Sequence, residues 1–428
     1  MKKKILIAAL FLFLSHSVFA IDESVKISLK EALNLALTTN PQVKVAKLSV
    51  IQAKNDIKIA NKLQNPSLDS FFNIGESGKD NPQQIGVDYV VEILKRGRRK
   101  STAASIHASA EQSEKFLEQK LILDVKLAYF DVLLKKSNLK IIEEQKEISQ
   151  QILTYTKEAY KNNKLPKTDY IQAKIEYNRV IMYSNIAKSE LVYSKNRFNA
   201  VINSNETDFD TLEDDLSSNY AELLTTNPEN IFYDFQKIKI FALKNRHDLK
   251  SGMKDIETAQ NKLKEVKSKL MPDLVLKGGY AFQPKSISYD NVYKSGAYAG
   301  VGLDNIPLVY HYQPEIKNAK LEIEKAKLKY DDMRIDAVRN ITDSWEKYEI
   351  ARNNLNFYNN ELLTNSKELL DESFNNLNER KIDLTSFYVS KKLYLDLTLG
   401  YKQALNEYYI SFAELLKELN VENFDEVL

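Results

Sequence analysis

The chain repeats itself once. Ala36-Leu37 in the first half matches Ala242-Leu243 in the second, and the offset of 206 residues then holds through Asn55 on Asn261, Ile57 on Leu263, Pro66 on Pro272 and Leu68 on Leu274. Gly86-Val87 matches Gly300-Val301 at an offset of 214, and Lys164-Leu165 meets Lys381-Ile382 at 217. A period of nearly half the 428 residues is too long for a short-repeat solenoid. It reads as a duplicated domain whose copies pack side by side with pseudo-two-fold geometry.

Residues 1–20 have the form of a signal peptide cleaved after Ala20: Lys2 to Lys4, an apolar run from Ile5 to Leu14, then Val18-Phe19-Ala20. That segment carries three lysines and no acid, so its removal takes the formal charge from +2 to −1. A nearly neutral chain argues against a nucleic-acid partner. The absence of cysteine excludes disulfides, thiolate metal sites and a lipid-modified N-terminus. With only 11 glycines and 9 prolines the composition is rich in helix, and no later stretch is apolar enough for a transmembrane helix. A secreted, periplasmic or outer-membrane β-structured protein remains.

The first copy is expected over 21–203. Ser28-Leu29-Lys30-Glu31 is a capping box that opens a helix. Asn40-Pro41 breaks that helix and starts a second, which Asn65-Pro66 ends. The period then changes to two. Ile85, Val87, Tyr89, Val91 and Ile93 alternate with Gln84, Gly86, Asp88, Val90, Glu92 and Leu94 in a β-hairpin over 67–94. In the second copy (235–420), a hairpin over 273–308 alternates Leu274, Leu276, Gly278, Tyr280 and Phe282 against Asp273, Val275, Lys277, Gly279 and Ala281. Alternation of this kind fits a membrane-barrel strand and equally a half-buried strand of a soluble sheet.

Helical hairpins are expected over 100–202 and 314–419. Neither proline nor glycine occurs from Thr102 to Asn162, or after Pro314 as far as Asn376. Leu127, Leu134, Ile141, Ile148 and Tyr155 recur every seven residues, as do Ile341, Tyr348, Leu355, Leu362 and Leu369 at the 214 offset. Such columns demand neighbouring helices. The acidic stretch 204–234 reads as a connecting segment, and 421–428 as a tail.

Four strands per chain cannot close a membrane barrel, and open edges cannot face lipid. Eight strands leave room only for side chains, so twelve strands from three chains form the smallest shared barrel with a lumen. Six helical hairpins would continue it as a tube of twelve helices. The fold class is thus mainly α with a small β part: a trimeric 12-stranded β-barrel continued by a 12-helix α-barrel tunnel.

Over its whole mature length the chain resembles the TolC-type outer-membrane efflux proteins. The features that carry the resemblance are Ser28-Leu29-Lys30-Glu31-Ala32-Leu33 with Ala36-Leu37 and Asn40-Pro41, then Asn65-Pro66-Ser67-Leu68, Leu94-Lys95-Arg96-Gly97-Arg98-Arg99 and Asp169-Tyr170-Ile171-Gln172-Ala173. Their order, spacing and duplication count for more than any one of them. The resemblance implies a homotrimer in the Gram-negative outer membrane, in contact with its lipid and extending into the periplasm. It also implies a periplasmic adaptor protein and an inner-membrane RND or ABC transporter as partners, in drug or metal efflux or type I secretion. In this family acidic residues near the start of the return helices narrow the periplasmic mouth. Asp169 holds that position in the first copy. Its counterpart is Ser386, followed by Val389, while Asp383 stands three residues earlier and is placed to cap a helix.

Asp88, Glu92, Lys277 and Asp304 are expected to face the barrel lumen, and Arg96, Arg98, Arg99 and Lys100 to lie at the periplasmic membrane interface. His107, His247 and His311 lack a helical metal spacing, so no metal site is expected. Neither a phosphate loop nor a nucleophile–base arrangement is present, so no cofactor and no enzymatic activity are expected. The second reading is a non-channel periplasmic coiled-coil scaffold or adhesin.

Overall fold

The computed structural model describes residues 27–72, 83–204, 216, 235–282, 295–358, 360–379 and 381–421. The expected signal segment, nearly all of 204–234 and the tail beyond Val421 lie outside them. The first copy comprises α1 (Leu29–Thr39), α2 (Pro41–Ala60), β1 (Ser67–Phe72), β2 (Gln83–Val91), α3 (Lys95–Lys161) and α4 (Lys167–Ile202). The second comprises α5 (Phe235–Asn245), α6 (His247–Ser268), β3 (Asp273–Phe282), β4 (Gly296–Asp304), α7 (Gln313–Phe357), α8 (Asn360–Asn378) and α9 (Leu384–Leu419).

Local chemistry sets the element ends. The Ser28 hydroxyl accepts from the Glu31 amide at 3.3 Å, while the Ser28 amide donates to the Glu31 carboxylate at 3.0 Å. Together the two bonds satisfy donors that the first turn of a helix leaves free. The Ser28 amide, joined by the Ser28 hydroxyl donating at 2.9 Å, also holds the Glu31 carboxyl below its ordinary range. Asn40 caps α2 by accepting from the Gln42 amide at 2.8 Å. Pro41 follows in the first turn, where its missing amide hydrogen costs nothing. α3 has 67 residues. At a rise of ~1.5 Å per residue it is roughly 100 Å long.

Backbone hydrogen bonds repeat the duplication. α4 and α9 are each 36 residues long and correspond at an offset of 217. Before them, Lys164 N donates to Ala159 O and Lys381 N to Asn376 O, at 2.7 and 2.8 Å. After them, Ser204 N donates to Asn199 O and Val421 N to Leu416 O, next to Asn203 and Asn420 in the left-handed region. All four bonds obey the same offset.

Between these ends the structure corrects the 214 register. Ser67 pairs with Asp88 and Asp273 with Asp304; since Ser67 falls on Asp273 at 206, Asp88 falls on Asp304, at 216. Burial agrees along the long helices. Ala103 and Ala319, Leu121 and Ala337, Val125 and Ile341, and Val132 and Tyr348 are buried pairwise at 216. The first expected heptad column lies on the buried seam at Leu134 and Ile141 and has drifted off it by Tyr155, which is 37% exposed, while the seam continues through Gln145, Ser149, Ile152, Thr156 and Ala159.

The second long helix is not continuous. α7 ends at Phe357 and α8 begins at Asn360, and the offset steps from 216 to 217 across this break. Asn353, Asn354, Asn356, Asn359 and Asn360 crowd this stretch of sequence, and asparagine is a weak helix former because its amide competes for the backbone. One inserted residue is thereby absorbed without rotating the lower half of the helix off its seam.

The main core lies where α1, α3, α4, α5, α7 and α9 meet, around Tyr129, Phe130, Phe198, Tyr348, Tyr409 and Phe412. It too is two-fold: Ala36 with Ala242, Phe198 with Leu415, and Ile202 with Leu419 are all nearly inaccessible.

Candidate functional site

The strands form one antiparallel sheet in the order β1-β2-β3-β4, joining the two hairpins along β2 and β3. β1 and β4 are its edges, and burial is confined to Gly86 and to Asp273 and Val275 at the foot of β3, where α3 begins. Ile85, Val87, Leu276, Tyr280, Val301 and Leu303 stand exposed on one face.

The opposite face carries Asp88, Lys277 and Asp304. Lys277 lies directly across from Asp88 and bonds its carboxylate at 2.7 Å. Next along this face Gly86 and Gly279 lie opposite each other, with Tyr298 beside Gly279. A Cβ on Gly279 would collide with the Ile85 carbonyl oxygen and come within 2.7 Å of the Gly86 Cα. The close approach of β2 to β3 therefore requires glycine there. Glu92 departs from the expected set. It follows the last residue of β2, bonds Arg99 at 2.5 Å and accepts from the Gln64 amide at 3.1 Å, so its charge is spent at the foot of the sheet.

The basic run is helical: α3 starts at Lys95, which puts Arg96, Arg98, Arg99 and Lys100 in its first two turns. Cations at a helix N-terminus oppose the macrodipole, and acids from the strand ends offset this. Arg99 takes Glu92, and Lys95 takes Asp273 at 2.7 Å, while Arg98 and Lys100 are exposed. Sequence reasoning missed the buried Asp273, which also accepts from the Asn305 amide at 2.8 Å. The available signal was an acid at the foot of an apolar strand; its lysine partner lies 178 residues away in sequence.

At the far end of the helices the two reversals lie side by side, since the Gln172 amide at the start of α4 reaches the Thr385 hydroxyl at the start of α9, at 3.4 Å. Asp169 and Ser386 are each the third residue of their return helices. Asp169 is half-buried and accepts from the Thr168 hydroxyl at 3.2 Å. Asp383 caps α9, accepting from the Ser386 amide at 2.9 Å, and the Ser386 hydroxyl together with that amide holds its carboxyl below the ordinary range.

The seam above this tip sets buried polar side chains beside an apolar cluster of Ile152, Ala173, Leu370, Leu384 and Phe387. Gln145, Ser149 and Thr156 of α3 and Ser366 and Ser373 of α8 are buried, and Ser373 bonds Ser390 at 2.9 Å. Glu143 gathers Ser184, Lys188 and Lys146, and these bonds hold its carboxyl at about 2. Lys391 of α9 is 3% exposed, donates to the Ser149 hydroxyl and stands 3.9 Å from Glu176 of α4, thereby joining the two hairpins. Burial pushes its ammonium down to about 8, against the opposing pull of Glu176. An unfolded lysine near 10.5 binds more protons than this one between those values, so folding stability rises as pH climbs from about 8 to 10.5. Melting followed by circular dichroism is expected to show that rise, and Lys391→Met to flatten it. An unchanged slope in the variant would remove Lys391 as its source.

Among the described residues no cluster of three or more histidine or acidic side chains could hold a metal ion, and no helix is long and apolar enough to cross a membrane.

Residues 32–204 match the family model described as Outer membrane efflux protein. No curated protein sequence matches the chain. Among solved structures, it is similar to CusC, at 13% identity and a TM-score of 0.73, with 92% of each chain covered. VceC of Vibrio cholerae aligns at 14% identity and 0.71, covering 92% of this chain and 96% of that one. The CmeC outer membrane channel of Campylobacter jejuni aligns at 15% and 0.67, covering 91% and 85%. The resemblance to TolC-type outer-membrane efflux proteins therefore holds in sequence over the first copy and in fold over both.

Proposed function

Since the first copy carries outer membrane efflux protein sequence and both copies share the fold of outer-membrane channels, we propose that the chain is the outer-membrane exit duct of a tripartite efflux pump or type I secretion system. It is a passive conduit with no catalytic step. Three copies build the 12-stranded barrel and the 12-helix tunnel, a periplasmic adaptor opens the tip, and an inner-membrane RND or ABC transporter supplies the energy.

The sheet carries this reading. It is open at both edges, buried only at its foot and at Gly86, apolar on one face and bearing Asp88, Lys277 and Asp304 on the other. Such a sheet is unstable alone in water but suits a wall with lipid on one side and a wet lumen on the other. The hydroxyls buried along the hairpin seam suit gating, because hydroxyl pairs separate into water at less cost than the Ile152–Phe387 cluster beside them. Asp169 and Ser386 line the mouth in this reading, Asp383 stiffens α9 there, and Arg98 and Lys100 meet lipid headgroups.

Fractionation tests the proposal: a heat-modifiable trimer in the outer membrane is expected, and a soluble periplasmic monomer would instead establish a scaffold or adhesin. In a planar bilayer, Asp169→Asn is expected to lower the preference for cations over anions at unchanged trimer yield. Identical ion selectivity in wild type and variant would take Asp169 out of the gate.

A further inference from the structure

The duplication contains a template for the joint between protomers. Inside the chain the first copy meets the second along β2–β3, α3–α6 and α3–α9. In a ring whose six copies are related by one common rotation, the second copy meets the first copy of the next chain by the same geometry. The offsets 206, 216 and 217 then convert each internal contact into an external one.

Applied to the sheet, Val87↔Gly278 becomes Leu303 of β4 opposite Phe72 of the next β1, and Asp88↔Lys277 becomes Asp304 opposite Phe71. Applied to the upper helices, the His247–Gln112 hydrogen bond of 2.9 Å becomes Leu328 against Pro41, and the Ser113–Ser251 bond becomes the Lys329 stem against Val45. Pro41, Val45 and Ala46 line an apolar groove with Ala110 and Leu117 of α3, open on this flank. Leu328 is 70% exposed on the complementary flank. Near the tip, Lys391 on Ser149 becomes the exposed Lys174 reaching Ser366.

We propose that protomers join with Leu303 directly opposite Phe72 of the neighbour and with Leu328 seated in the neighbour's Pro41–Val45 groove. At the upper helices the joint between chains is thus an apolar version of the hydroxyl and amide joint within a chain. The occupant of the groove is a second copy because the operation that fills it is one the fold already performs. This inference rests on the trimer proposed above and adds its register, which sequence matching alone would misplace: the 214 offset puts Leu303 opposite Ser70.

The chain has no cysteine, so introduced pairs report cleanly. Directly opposite residues on antiparallel strands hold their Cβ atoms about 4.5–5.5 Å apart, and two-residue diagonals about 7–8 Å, beyond disulfide reach. Phe72→Cys with Leu303→Cys is expected to convert the monomer band to dimers and trimers on oxidation, whereas Ser70→Cys with Leu303→Cys is expected to remain monomeric after denaturation. Crosslinking of the Ser70 pair in place of the Phe72 pair would overturn the register while leaving the trimer intact. Loss of the heat-modifiable trimer in the cysteine-free protein itself would sink the duct reading. Leu328→Asp is expected to lower the temperature at which the trimer band dissociates; an unshifted temperature would remove the groove from the joint.

Discussion

Replacing Val301 with arginine is expected to abolish recovery of the trimer from the outer membrane. Val301 lies in the middle of β4, 72% exposed on the apolar face of the sheet. On the lipid side of a barrel near the bilayer midplane, arginine costs about 2–4 kcal/mol, and the cost recurs in every copy. On the solvated face of a soluble sheet the same change falls within about 0.5 kcal/mol of neutral. The substitution therefore separates two environments that share one pattern of alternation. Val301→Thr is the control, because threonine keeps the shape and β-propensity without a charge. Normal assembly of the arginine variant would put this face in water.

Phe412→Ala is expected to destabilise the chain by about 3–5 kcal/mol, the usual range for emptying a large aromatic site in a core. Phe412 is 1% exposed and packs at 5.6 Å from Tyr348 and 6.4 Å from Tyr408, so α9 and α7 both lose contacts. The site has little room to collapse, since the surrounding rings are held by several helices at once. Thermal melting should shift by several degrees, with the trimer dissociating earlier. A melting temperature within a degree of wild type would mean that this cluster does not anchor the tunnel.

How legible these features were depended on how local they are. Ser28 and Glu31 disclosed their capping box because the whole interaction spans four residues. Asp383 disclosed its capping role for the same reason. The pairing of Asp88 with Lys277 was hidden, since only strand register makes residues so distant in sequence neighbours. The break at Tyr358 was overlooked because it involves neither proline nor glycine. A cluster of asparagines and one surplus residue produce it, visible once α8 is compared with the lower half of α3. Lys391 was missed as well: a lysine on a helix reads as solvated until the seam against Ser149 and Glu176 is in place.

Residue order alone was enough to reveal two copies, to sort helix from strand and to pick out the apolar strand faces, because caps, turns and periodicity act over a few residues. The detailed correspondence of the copies came from contacts in three dimensions. Sliding a strand by two residues returns every side chain to the same face, so alternation cannot distinguish an offset of 214 from one of 216. The helix offered no arbitration either, for Leu127 and Leu134 are as apolar as Val125 and Val132. What distinguishes the offsets is the cross-strand hydrogen bonding that sets Ser67 against Asp88 and Asp273 against Asp304, a contact made only when distant parts of the chain come together.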